Sequence, residues 1–202
     1  MKGGCIMTKN IEEIKQEIMQ DPENAEFTKQ GWEPIFVAPP TAKILIASQA
    51  PGIKAQLANT TFLDPSGDLL REWLDVDKET FYNSGHFGIV PMDYYFPGKA
   101  KHGDKPPRKD FAKKWNPQVL GAMPELELKV LIGAYAQKFY LGKNMKRNLT
   151  ETVRNYEEYL PEYFPLVHPS PLNIGWRRRN PWFEEEVVPA LRECVHKIIY
   201  TK

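Results

Sequence analysis

The chain reads as an α/β protein: a single three-layer domain over residues 1–202, with a central four-stranded, mainly parallel sheet and helices on both faces. Residues 1–40 form an N-terminal helical extension packed on it. Three observations predict this. Short apolar runs alternate with stretches of helical period along the chain, the pattern of strand–helix–strand units. The runs are apolar almost throughout rather than every second residue, as expected of strands covered on both faces. The chain is 202 residues long, 42% apolar and 26% charged, enough for one well-packed core and too apolar for disorder.

Taken in order, Ile11, Ile14, Ile18 and Met19 recur at helical spacing and predict a helix over Ile11–Met19. A loop with Gly31, Pro34, Pro39 and Pro40 follows, and Lys43–Ala47 is a first buried strand running into the tight turn Ser48–Gly52. Ser66 is placed to cap a helix reaching Leu74, with Leu69, Leu70, Trp73 and Leu74 as its apolar face. His86–Val90 is a second strand, and Met92–Arg108, rich in Pro, Gly and Lys, a long functional loop. Phe111–Met123 is predicted helical but broken at Pro117. Leu126–Gly133 is a third strand, Ala134–Leu141 a helix and Phe164–Val167 a fourth strand. The last helix spans Pro181–Ile199 and has to kink or restart at Pro189.

Composition removes several classes. No apolar run approaches the ~18–20 residues that span a bilayer, and Met1–Asn10 has no apolar stretch of the kind a secretory signal needs. No membrane partner is expected. The two cysteines, Cys5 and Cys194, predict free thiols and a cytoplasmic location, and exclude four-cysteine zinc or iron–sulfur sites. The net charge of +1 gives no general affinity for nucleic acid, so charge distribution has to supply it. Seven Lys/Arg stand against two Asp between Lys99 and Lys114, a second cluster is Lys143, Lys146 and Arg147, and Arg177-Arg178-Arg179 is a third. Such local asymmetry suits a phosphate-binding face.

Two motifs follow strand ends, where open α/β sheets bind ligands. They are Gln49-Ala50-Pro51-Gly52 after the first strand and His168-Pro169-Ser170-Pro171-Leu172-Asn173 after the fourth. Between them, Phe62 stands a few residues before Gly67-Asp68-Leu69-Leu70. These three anchors, in register from Lys43 to the C-terminus, resemble the uracil-DNA glycosylase superfamily, and the first motif is nearest to that of its iron–sulfur branch. The resemblance implies a monofunctional enzyme without metal or other cofactor, acting as a monomer on a damaged base flipped out of DNA. His168 would be a neutral donor to the departing base's oxygen, since charge develops there as the glycosidic bond breaks. Gln49 would assist catalysis; Ala50, Gly52 and Phe62 would hold the base, Phe62 by stacking. Ser170, Arg177 and Arg178 would meet phosphates, and Leu172 would wedge into the gap left in the duplex.

The chain departs from that family in two places. No carboxylate stands in the first motif, so water would be positioned by Gln49, a main-chain carbonyl, or a carboxylate from elsewhere such as Asp64 or Asp93. The asparagine that reads the base edge has no secure counterpart; Asn83 and His86 are the candidates. A member that binds nucleic acid or a free base with little or no turnover is the alternative. A hydrolase using Ser170 lacks the Gly-x-Ser-x-Gly elbow.

Overall fold

A computed structural model describes residues 10–201, so Cys5 lies outside the described residues. In chain order the elements are α1 (Ile11–Gln20), α2 (Ala25–Lys29), β1 (Ile44–Ala47), α3 (Ile53–Ala58), α4 (Pro65–Leu74), α5 (Lys78–Asn83), β2 (Phe87–Ile89), α6 (Phe111–Leu120), β3 (Leu128–Ile132), α7 (Gly133–Leu141), α8 (Leu149–Arg154), β4 (Tyr163–Leu166), α9 (Ile174–Arg179) and α10 (Val188–Tyr200). The four strands form one sheet in the order β2-β1-β3-β4, and every pairing is parallel.

Side-chain alternation along β1 builds the three layers. Ile44 and Ile46 face one core, with Leu70, Trp73 and Leu74 of α4, Phe81 of α5, Val153 of α8 and Leu191 and Val195 of α10. Leu45 and Ala47 face the other, with Ile14 and Ile18 of α1, Trp115 and Val119 of α6 and Ala136 of α7. Successive strand residues point to opposite faces, so an unbroken apolar run is what a sheet covered on both sides requires. Because Ile14 and Ile18 are fully buried, the N-terminal helix is part of the second core. Among the described residues no helix is long and apolar enough to cross a membrane.

Two local expectations are corrected and a third is met. The cap of α4 is Asp64, whose carboxylate accepts from the Gly67 N–H; Ser66 lies inside the helix, which starts at Pro65. The break expected at Pro117 does not occur: α6 runs through it to Leu120, its apolar face anchored by Phe111, Trp115 and Val119. The restart expected near Pro189 takes the form of a π-helical segment, Phe183–Val187, that leads into α10 with the proline in its first turn. There the missing N–H breaks no α-helical bond. Pro165 sits within β4, which lies at the sheet edge, the position that tolerates a missing donor.

With all strands parallel, the carboxyl ends of β1, β3 and β4 share one edge. The chain leaves β1 for β2 on one side and returns to β3 on the other, and at such a reversal of strand order a crevice opens.

Candidate functional site

Beyond that edge lies a cleft of about 720 Å³, within the size of small-molecule sites. Its walls bring together Ser48, Ala50, Pro51 and Gly52 after β1, Phe62 and Asp64 before α4, and His168 after β4. Residues more than 100 positions apart thus meet because parallel strands deliver both loops to the same edge. A smaller cavity of about 310 Å³ lies on the other side of His168, lined by Gln49, Gly133, Asn173 and Trp176.

The His168 loop is held by its own polar groups. The Asn173 side-chain amide and the Ser170 N–H both donate to the His168 carbonyl, at 2.9 and 2.8 Å. The Ser170 hydroxyl oxygen accepts from the Leu172 N–H at 3.2 Å. Burial pushes the His168 imidazole below its ordinary value of 6.5, with the charge of Asp64 opposing, so the ring is neutral at pH 7. Its Nδ1 is buried and finds no partner among the described residues. Leu172, next along the loop, is 92% exposed.

Phe62 adopts φ +57°, a left-handed conformation that costs a bulky residue on the order of 1–3 kcal/mol. Its carbonyl accepts from Arg71 Nη1 at 3.0 Å and from the Tyr82 hydroxyl at 2.7 Å. Gly67 lies so close that a Cβ there would stand 1.7 Å from the same oxygen.

The long loop between β2 and α6 folds back as a small hairpin, with Lys99 bridging Asp104 and an ion pair between them at 2.6 Å. Both line the cleft, as does the exposed Lys54 of α3. The rest of the loop is tied down by the fully buried Asp93. Its carboxylate takes Arg108 Nε and Nη2 at 2.8 Å each and the N–H groups of Tyr95 and Arg108 at 3.1 Å.

The profile of the uracil DNA glycosylase superfamily matches residues 34–192, from the segment before β1 into α10. The chain belongs to the uracil DNA glycosylase superfamily. A solution NMR structure from Methanosarcina acetivorans, provisionally assigned as a uracil DNA glycosylase, is similar at 16% identity and a TM-score of 0.44, over 79% of this chain and 94% of that one.

Within this superfamily chain, the structure converges Ala50, Gly52, Phe62 and His168 on one cleft, as the sequence motifs imply. Two base-edge candidates, Asn83 and His86, are corrected, and Gln49, Arg177 and Asp93 have partners of their own. Gln49 lines the smaller cavity together with His168, and its amide donates to the Lys105 carbonyl at 3.3 Å. Asn83 and His86 precede β2 and therefore lie at the amino edge of the sheet, opposite the cleft. Asn83 donates to Glu79 at 2.8 Å, and the His86 carbonyl accepts from the Lys43 and Ile44 N–H groups. Arg177 is paired with Glu184 at 2.7 Å and lies 5.9 Å from the Trp73 ring, which leaves Arg178 as the exposed cation of that pair. Asp93, a carboxylate considered for the water, is spent on Arg108.

Sequence reasoning missed Lys54, Lys99 and Asp104 as cleft residues, and Arg71, Tyr82 and Asn173 as supports. Lys99 stands in the basic run and Asn173 in the His168 motif, but only the three-dimensional path of the loops gives these residues their places. The cluster carried by the branch with the nearest first motif does not fit: Cys194 lies on α10, and the chain has two cysteines in all.

Proposed function

We propose that this chain is a monofunctional DNA glycosylase that hydrolyses the N-glycosidic bond of uracil or a related deaminated base, acting as a monomer in the cytoplasm. One observation carries the reading: a neutral imidazole, His168, faces a cleft whose other walls are the Pro-Gly turn and Phe62, with an exposed leucine beside it. A flipped base stacks on Phe62 between these walls, while Leu172 fills the gap it leaves. With Nδ1 buried and without a partner among the described residues, the imidazole proton is better placed on Nε2, where it donates to the base oxygen as negative charge develops. Asp104 is engaged by Lys99, so Asp64, one oxygen of which caps α4, is the carboxylate left in the cleft wall to orient the attacking water.

The test is base release from oligonucleotides carrying uracil, hypoxanthine, xanthine or mismatched uracil, single- and double-stranded. His168→Ala should lower turnover by about 10²-fold with little loss of binding; equal turnover removes His168 from the chemistry. Borohydride should trap no protein–DNA adduct; trapping would point to an imine on Lys54 or Lys99 and a lyase in place of a hydrolase. Tight, salt-sensitive binding with no base released would favour a second reading, a member that holds nucleic acid or a free base without cutting. Ala50 and the engaged Gln49 support that reading.

A further inference from the structure

Phe62 is the aromatic wall of the cleft, and its backbone is held from behind. Arg71 on α4 and Tyr82 on α5 both aim at its carbonyl oxygen, and the Tyr82 hydroxyl also lies 3.1 Å from the Thr61 carbonyl. Arg71 is a nearly buried cation, 4% exposed. It is paired with Asp68 at 2.5 Å and packs over the rings of Phe81 and Tyr82, whose centroids lie 5.7 and 5.4 Å away. Burying a guanidinium is unfavourable unless its donors are used, and here one of them is spent on a carbonyl in a strained turn. Burial first, against the opposing charge of Arg71, raises the Tyr82 phenol above its ordinary value, so it stays an O–H donor throughout the neutral range. Gly67 completes the arrangement by letting the α4 backbone approach that same oxygen.

We infer that Arg71 and Tyr82 are positioning residues for base recognition: together they pin the Phe62 carbonyl, hold that residue at positive φ, and so fix the ring that meets the base. Neither touches the cleft; both act through Phe62. Without them Phe62 relaxes to negative φ, its peptide rotates, and the ring leaves the wall. This rests on the glycosylase reading for its catalytic consequence, and on the fold alone for its structural one.

The experiment therefore has two arms. In the first, NMR follows the Phe62 amide-to-α-proton cross-peak within the residue, which is strong only at positive φ. It should be strong in the unaltered protein and weaken in Tyr82→Phe and Arg71→Met, with the remaining spectrum little changed. A cross-peak that persists in both overturns the inference; should Arg71→Met fail to fold, Tyr82→Phe, which loses only a hydroxyl, decides it. In the second arm, single-turnover base release is measured for Tyr82→Phe, Phe62→Ala and the double variant. Tyr82→Phe alone should slow release about tenfold and, on top of Phe62→Ala, by less than about twofold, because coupled residues are not additive. Equal slowing in both backgrounds means that Tyr82 does not act through Phe62 and overturns the inference. If the unaltered chain releases no base, the glycosylase reading fails while the NMR arm still decides whether Arg71 and Tyr82 hold Phe62.

Discussion

At the scale of single residues, His168 and Gly67 are the most demanding positions. Because the folded imidazole titrates below 6.5, the unfolded chain binds more protons than the folded one as pH falls through that value. Its contribution to stability is therefore complete above pH 6.5 and declines below it, down to the depressed folded value. A donor that works as the neutral ring should keep full activity through pH 7 and lose it only on an acid limb below 6.5, as a pH–rate profile of kcat/KM would reveal. A limb centred at or above 6.5 would contradict the buried neutral ring. Gly67 gives the sharper steric test. Gly→Ala inside a helix ordinarily stabilises by about 1 kcal/mol, but here the added methyl meets the Phe62 carbonyl. Gly67→Ala should lower stability by about 2 kcal/mol or more in denaturant titration, since backbone cannot yield as a flexible side chain can. A stabilised variant would show that Phe62 is free to move.

At the scale of elements, helix starts and ends do two tasks at once. Asp64 caps α4 through the Gly67 N–H and also lines the cleft near His168. Two substitutions separate these tasks. Asp64→Ala should cost about 1 kcal/mol of stability through the lost cap. Asp64→Asn keeps a capping oxygen and should leave the melting temperature nearly unchanged, yet it removes the charge that raises the His168 pKa, moving the acid limb lower still. It should also slow turnover if this carboxylate orients water; a variant with unchanged rate would shift that task to a main-chain carbonyl. The strand that delivers His168 tolerates Pro165 because β4 is an edge, whereas the same residue in β1 or β3 would remove a ladder bond in the middle of the sheet. The placement of His168 thus relies on β3 pairing one flank of β4, with Lys129↔Tyr163 through Ile132↔Leu166 in register.

At the scale of the whole molecule, a chain of net charge +1 has to bind phosphates through local cations. Lys54 in the cleft wall and Arg178 beside the His168 loop are exposed, while Arg177, Arg108 and Lys99 are neutralised by Glu184, Asp93 and Asp104. Lys54→Ala and Arg178→Ala should each weaken oligonucleotide binding and reduce the slope of log K against log salt by about 1, whereas Arg177→Ala should chiefly lower stability. An unchanged salt slope in the first two would move the DNA path to another face. Much of this arrangement was legible from the chain alone. The apolar runs of β1 and β3 declare strands buried on both faces, and Gly52, Phe62 and His168 follow or precede elements in an order that parallel strands bring to one edge. Those features are local or periodic, so composition and spacing determine them. What only the tertiary structure decided is how each polar side chain is spent. Gln49 is bound to a carbonyl 56 residues away, Asp93 to an arginine 15 residues on, and Arg71 to a carbonyl nine residues back. Asn83 and His86 lie at the wrong end of the sheet because they enter β2 and do not leave it. A hydrogen bond or ion pair between distant loops depends on the path that packing imposes on both, and no periodicity in the sequence records that path.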